Sequence, residues 1–381
     1  MHESLAIVGG RDPAGRRLDL TIREGLLADE GMTDATFDAT ELTIAPGFID
    51  LQVNGAFGCD FTTDPESMWD AAARLPETGV TGFLPTLITA PDGTAREAQI
   101  ALGHRPDGFV GAEPIGLHVE GPMLSFAMRG AHPPQYLVDR ASAHDWSPES
   151  GIALVTLAPE LPGAPEAIRT LTERGVVVSL GHSNASCLEA QAGADAGATF
   201  GTHLFNAMSL MSSREPGLAG FLLTDPKMRF GVINDGVHLH RRIVELIWAD
   251  AGDRMILVTD AIAAMGVGDG TYRLGSLEIT VSGMAAIRAD GGLGGSVLTM
   301  DRAVRNLLAI TGCTLDQAIA AATAQPASLM GLSDRGTLRI GDRADLVLLD
   351  RDANVAATMV FGRVVHIVEP DRLRGESHVP A

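Results

Sequence analysis

Four polar residues each close a short apolar run: Glu120 in Gly-Leu-His-Val-Glu-Gly-Pro, His182 in Ser-Leu-Gly-His-Ser-Asn, His203 in Gly-Thr-His-Leu-Phe-Asn-Ala-Met, and Asp260 in Leu-Val-Thr-Asp-Ala. A parallel α/β barrel presents its catalytic side chains at such positions, where strands give way to loops. Two imidazoles and one carboxylate can hold a catalytic zinc-like ion, because three protein ligands leave a coordination position for water. Glu120, His182 and His203 supply that set. An ion so held acidifies water and polarises a carbonyl, and a base must then accept the proton. Asp260 is left for that task and can return the proton to a leaving amine. Taken singly, each residue also suits an ordinary polar strand end, and Asp260 suits a helix N-cap. All four recurring in one chain favours a site, and the chemistry they allow is amide hydrolysis. Side chains alternate along a strand, so His118 shares a face with Glu120 and reads as a packed histidine beneath it.

Positioning such a set takes a barrel. Apolar runs at 47–53, 82–87, 115–120, 153–158, 176–182, 199–203, 228–234 and 255–260 alternate with Ala-rich helical stretches of crossover length. Eight such units make an α/β fold with a parallel sheet closed as a (β/α)8 barrel of the TIM type, with an open doubly wound sheet as the alternative of equal periodicity. Thr299 and Thr314 each open a stretch with apolar positions three and four apart, which reads as a helix. At the two ends the texture changes to short apolar stretches punctuated by turn residues, so both ends are expected to pair as strands of a small β-sandwich domain. The expected domains are 1–45 with 336–381 for that sandwich and 46–335 for the catalytic barrel.

Composition narrows the chemistry further. The formal net charge of −20 argues against nucleic acid, whose phosphates are bound by clustered Lys and Arg. No apolar run approaches a membrane span and the first residues carry no basic-then-apolar segment, so a soluble, cytoplasmic protein is expected. Cys59, Cys187 and Cys313 are scattered and odd in number, which disfavours a disulfide framework and fits a reducing compartment. Lys227 is the only lysine and lies in a polar turn. That leaves no strand-end lysine for a Schiff base, a P-loop or a bridged two-metal centre.

Read together, Ala-Pro-Gly-Phe-Ile-Asp from Ala45, His-Val-Glu-Gly-Pro, Gly-His-Ser-Asn-Ala, Thr-His-Leu-Phe-Asn-Ala-Met, Arg-Glu-Pro-Gly, Thr-Asp-Ala and the closing Ala-Asp-Leu-Val give the chain a resemblance over nearly its whole length. It resembles the amidohydrolase superfamily and, within it, the N-acetylglucosamine-6-phosphate deacetylase family. The resemblance implies metal ligands Glu120, His182 and His203, with Asp260 as the acid and base. It implies that His132, in Arg-Gly-Ala-His-Pro-Pro, polarises the acetamide carbonyl. Asn206, Ala207 and Arg214 match phosphate and sugar contacts, and His238 matches a residue that binds a sugar hydroxyl. A guanidinium forks well onto phosphate oxygens. His240 and Arg241 extend the basic cluster, toward a phosphate in a neighbouring subunit or simply as a solvated helix start. A homodimer acting on an amino-sugar phosphate is the implied assembly.

Many superfamily members end their first strand in His-x-His and bind a second metal there. The matching positions here are Gln52 and Asn54, and amides are poor ligands for zinc-like ions. One divalent metal per chain, with zinc as the expected ion, is therefore the reading. Its rivals are a deacetylase of N-acetylgalactosamine 6-phosphate or another N-acyl compound, and a metal-free binding barrel, against which the intact Glu, His, His and Asp set argues.

Overall fold

The computed structural model describes residues 4–375; the outermost residues of the expected small domain, 1–3 and 376–381, lie outside it. Eight parallel strands form the barrel: β1 (Phe48–Val53), β2 (Val80–Leu87), β3 (Leu117–Glu120), β4 (Ile152–Leu157), β5 (Val177–Leu180), β6 (Phe200–Gly201), β7 (Arg229–Val232) and β8 (Met255–Leu257). Each pairs with the next in chain order. The barrel closes where Val53 bridges Ala261 and where the Asp260 amide donates to the Gln52 carbonyl at 2.8 Å. β1, β2, β3 and β4 are buried at every residue, as strands are that meet the barrel interior on one face and helices on the other.

The expected helices form, the first without a side-chain cap hydrogen bond from Thr299 and the second with one from Thr314. Thr299 precedes the helix Met300–Thr311. Thr314 and Gln317 make a reciprocal capping box at the next, and Ser186 with Glu189 makes another after β5, each satisfying two otherwise orphan N–H groups. No helix among the described residues is long and apolar enough to cross a membrane.

The two ends of the chain meet in one nine-stranded sheet. Its strands run in mixed directions: Ser4–Arg11 is antiparallel to Arg17–Arg23 but parallel to Ala35–Asp38. Its core is Ile7, Phe37, Ile44, Leu346, Leu348 and Met359. The sheet is tied to the barrel through Asp345, whose Oδ2 meets Arg343 Nε at 3.1 Å and Arg335 Nη1 at 3.6 Å. Arg343 reaches on to Glu113 at 2.6 Å, beside the start of β2.

Two departures from the sequence reading matter for function. First, the strands are shorter than expected at their C-terminal ends, so His182, His203 and Asp260 stand two or three residues beyond β5, β6 and β8. Second, a three-stranded antiparallel sheet, β9 (Gly270–Leu274), β10 (Leu277–Ser282) and β11 (Ala285–Arg288), follows β8. Its Leu274, Ile279, Val281 and Ala286 pack on Ile88 and Ile262, which seats it over the loops after β2 and β8.

Replacing Asp345 with Ala would strand two arginines and the Phe361 N–H that its Oδ1 accepts at 2.7 Å. Breaking a buried ion pair from one side costs about 3 kcal/mol or more. Asp345→Ala should therefore lower the urea midpoint clearly, and an unchanged midpoint would show that the sheet is held to the barrel by other contacts.

Candidate active site

Glu120 ends β3 with its side chain inside the barrel mouth, and the three loop residues His182, His203 and Asp260 turn toward it with φ of 47°, 30° and 50°. Non-glycine residues seldom take this left-handed conformation, and where they do the surroundings hold them there. Here it aims three side chains at one point. His182 Nε2 lies 3.1 Å from His203 Nε2, and Glu120 Oε1 lies 3.1 Å from the first and 3.3 Å from the second. All three residues are buried.

This triangle fits a divalent ion. Ligand bonds of about 2.0–2.1 Å at tetrahedral angles put neighbouring ligand atoms about 3.3 Å apart. His182 Nδ1 faces the Met128 carbonyl at 2.9 Å, so Nδ1 carries the proton and donates it there, leaving Nε2 a free lone pair. Two ring nitrogens at 3.1 Å need a positive charge between them or a proton on one. The electrostatics agree. Burial would raise the Glu120 pKa, but when a proton takes the place between the two rings, the charge on His182 and hydrogen bonds from His132, His182 and His203 hold it well below the usual range. Burial would lower the pKa of His203, yet the hydrogen bond and charge of Glu120 raise it.

His132 stands near Glu120 and His182, close enough to be considered a ligand. Its hydrogen bonds assign it otherwise. The Thr89 N–H donates to His132 Nδ1 at 3.1 Å and the Thr89 hydroxyl stands 2.9 Å from it, so the proton sits on Nε2, which points at Glu120 Oε2 from 3.6 Å. Burial and the charge of His182 push its pKa down to about 4. His132 is therefore a neutral N–H donor. Thr89 and Met128, which fix the two tautomers, are functional positions that no motif in the sequence singles out.

Asp260 is not a helix cap. Its Oδ1 accepts from Asn54 Nδ2 at 2.6 Å and from Gln52 Nε2 at 3.1 Å, and Gln52 Nε2 also reaches Glu120 Oε1 at 3.3 Å. Both amides meet the same oxygen, Oδ1, rather than one oxygen each. Burial, with the nearby charge of Glu120, raises the Asp260 pKa to about 6. Beneath it, Asp50 holds the Thr259 hydroxyl at 2.6 Å and N–H at 3.2 Å, and burial carries the Asp50 pKa up to about 7. His118 is packed as expected, with Thr156 at 2.8 Å and Thr86 at 3.4 Å.

Asn54, Glu120, His132, His182, His203 and Asp260 line a cavity of about 420 Å³ together with Asn206, Ala207 and His238. Asp235, another residue the sequence reading passed over, orients His238: its Oδ2 meets His238 Nδ1 at 2.7 Å while its Oδ1 accepts the backbone N–H groups of Val237 and His238. The cavity wall does not include Arg214, His240 or Arg241. Arg214 is exposed on the loop after β6. His240 caps the helix Arg241–Ala251 by accepting from the Arg242 N–H, and Arg241 pairs with Glu245 on the surface. The arginine that does line the cavity is Arg288 of β11, held by Asp290 at 2.9 Å. A sheet inserted after the last strand put it there, beyond the reach of motif reading.

The Amidohydrolase family matches residues 43–365. The human N-acetylglucosamine-6-phosphate deacetylase is 40% identical over 96% of this chain and 92% of its own length. The crystal structure of the Pasteurella multocida deacetylase of that name superposes with a TM-score of 0.86 at 30% identity, over 95% of this chain and 99% of that one. A point mutant of the Mycobacterium smegmatis enzyme, solved in complex with N-acetyl-D-glucosamine-6-phosphate, gives a TM-score of 0.83 at 32% identity over 96% and 99% of the two chains. With that similarity carried across both the barrel and the terminal sheet, the chain belongs to the amidohydrolase family and, within it, to the N-acetylglucosamine-6-phosphate deacetylases.

Proposed function

We propose that this chain hydrolyses the acetamide of N-acetyl-D-glucosamine 6-phosphate to D-glucosamine 6-phosphate and acetate, with one zinc ion per chain held by Glu120, His182 and His203. The observation that carries the reading is the convergence of these three ligand atoms beside a carboxylate whose second oxygen is free. When bound, the ion supplies Lewis-acid chemistry, making water a competent nucleophile and drawing electron density from the carbonyl. The protein's own groups do the rest. His132 Nε2–H donates to the acetamide oxygen, as a neutral electrophile already fixed in the right tautomer. Asp260 Oδ2 takes the water's proton as the new C–O bond forms and passes it to the nitrogen as the C–N bond breaks. Asn206, Ala207 and His238 line the space for the sugar.

A single metal is supported by Gln52 and Asn54, whose amide donors are committed to Asp260 and Glu120. The exposed apolar residues Phe126, Leu210 and Met211 lie on the segments that follow β3 and β6, and Leu188 lies in the first turn of the helix after β5. They support a homodimer joined around the barrel mouth, in which His240 and Arg241 face the partner's substrate phosphate. Cys59, Cys187 and Cys313 are unpaired, in keeping with a cytoplasmic enzyme.

Asp260→Asn keeps an oxygen for Gln52 and Asn54 but cannot accept the water's proton. It should cut acetate release at least about a hundredfold while metal content, measured by elemental analysis, stays at the wild-type level. Near-normal turnover would remove Asp260 from the mechanism.

Arg214→Ala should weaken use of the 6-phosphate substrate by about 1.5–3 kcal/mol, the worth of a charge-assisted contact, and leave use of unphosphorylated N-acetylglucosamine almost unchanged. The comparison is kcat/KM on the two sugars. If Arg288→Ala gives that differential loss and Arg214→Ala does not, the phosphate is bound from the β9 to β11 sheet instead.

A further inference from the structure

One part of the cavity surface is apolar and belongs to a separate small core. Ile88, Leu274 and Ala131 line the cavity; Ile88 and Leu274 are members of the cluster that seats the β9 to β11 sheet, and Ala131 packs against it. Two of them adjoin His132 along the chain. Ala131 precedes it directly, and Ile88 precedes Thr89, whose N–H and hydroxyl hold the ring. A second cavity of about 450 Å³ is lined by Thr89, Gly121 and Trp146 among others, and among the described residues Ile88 alone lines both. Ile88 is therefore a partition.

The partition has little room to yield. The Ile88 N–H donates to the Thr62 hydroxyl at 3.2 Å, and Thr62 is itself held by Asp60, whose Oδ1 accepts its N–H at 3.1 Å. The other Asp60 oxygen accepts the Gly275 N–H at 2.8 Å, in the turn between β9 and β10. A side chain at 275 would press on Ile88 Cδ1 from 3.0 Å, so that turn backs directly onto the isoleucine. One buried carboxylate from the segment after β1 thus fixes both the backbone of Ile88 and the turn against its side chain, and a β-branched residue is already stiff at χ1.

We infer that Ile88, backed by Leu274, sets the length of acyl chain the enzyme accepts: an acetyl methyl group fits against it and longer acyl groups meet it end on. The inference rests on the deacetylase reading above and assigns the third substituent of the carbonyl carbon. In that reading the carbonyl oxygen faces His132 and the nitrogen faces Asp260, with the sugar beyond it beside Asn206, Ala207 and His238. The alkyl group leaves the planar carbon on the side away from the nitrogen, and the cavity surface adjoining His132 is the apolar one of Ile88, Ala131 and Leu274. A methyl group buried there strands no polar atom. Against a wall that cannot retreat, each extra methylene costs about 10–200-fold in discrimination. Shortening Ile88 takes away the partition and gives a longer chain the second cavity to enter.

The test compares kcat/KM for the N-acetyl, N-propionyl and N-butyryl derivatives of glucosamine 6-phosphate in the wild type, Ile88→Ala, Ile88→Val and Ile233→Ala. The wild type should lose at least about tenfold for each added methylene. Ile88→Ala should raise the butyryl-to-acetyl ratio at least about tenfold, and the milder Ile88→Val should raise the propionyl-to-acetyl ratio in the same direction by less. Ile233→Ala also alters an apolar residue of the cavity, just past β7, and should leave both ratios as they are. A ratio taken within one protein does not move when a variant is merely less stable. Wild-type enzyme that takes butyryl as well as acetyl, ratios unchanged in both Ile88 variants, or the same rise in Ile233→Ala would each overturn the assignment. Wild-type enzyme that releases no acid from any of the three would instead defeat the deacetylase reading itself.

Discussion

A buried carboxylate facing two imidazole nitrogens about 3 Å apart is the constraint on which this structure turns. Glu120, His182 and His203 are each almost wholly shielded from water, and an ionised carboxylate in such a place is costly unless cations or donors surround it. Most members of the triangle are fixed from outside it, while His203 Nδ1 is buried without a hydrogen-bond partner among the described residues. Met128 sets one histidine, Thr89 sets His132, and β3 delivers Glu120 at its last residue. The left-handed backbone at His182 and His203 is strain that the closed barrel holds in place, and its use is to turn two rings inward that an extended strand would have carried past one another.

The second consequence concerns the first strand. In place of imidazoles, β1 and the residue just after it offer two amides, Gln52 and Asn54, and both donate to Asp260. An amide cannot be protonated in the working range and cannot compete for zinc, so the carboxylate keeps one oxygen held and the other free. On the one-metal mechanism proposed above, the same exchange would both leave the first strand without a second pair of metal ligands and build the environment of the base. Barrel closure is part of it, since Asp260 and Ala261 hydrogen-bond directly to β1, and Asp50 grips Thr259 from below.

Much of this was legible in the sequence because the strong signals are local. Eight apolar runs at crossover spacing gave the barrel, and the polar residues that closed them gave Glu120, His182, His203 and Asp260. What was not legible depended on chain geometry that periodicity does not carry. The strand ends were read too long because Gly181 and Thr202 look like strand continuation, whereas the φ change at the following histidines ends the pairing. The sheet of residues 270–288 is short, polar on one face and inserted after the last strand, so nothing in the repeat announced that it would bring Arg288 to the cavity. Thr89, Met128 and Asp235 act through a backbone or side-chain group set in three dimensions by neighbours far along the chain. Arg214 came from resemblance, with His240 and Arg241 read as an extension of its basic cluster, and in the single chain all three lie outside the cavity wall.

The most direct test of a one-metal site is a titration. Protein stripped with a chelator is reconstituted with increasing zinc, and acetate release from N-acetylglucosamine 6-phosphate is followed against equivalents of metal per chain. With Glu120, His182 and His203 as the complete ligand set, activity should rise linearly and break sharply at one equivalent. A break at two equivalents, with the singly loaded protein inactive, would contradict the reading of Gln52 and Asn54 and the one-metal mechanism that depends on it.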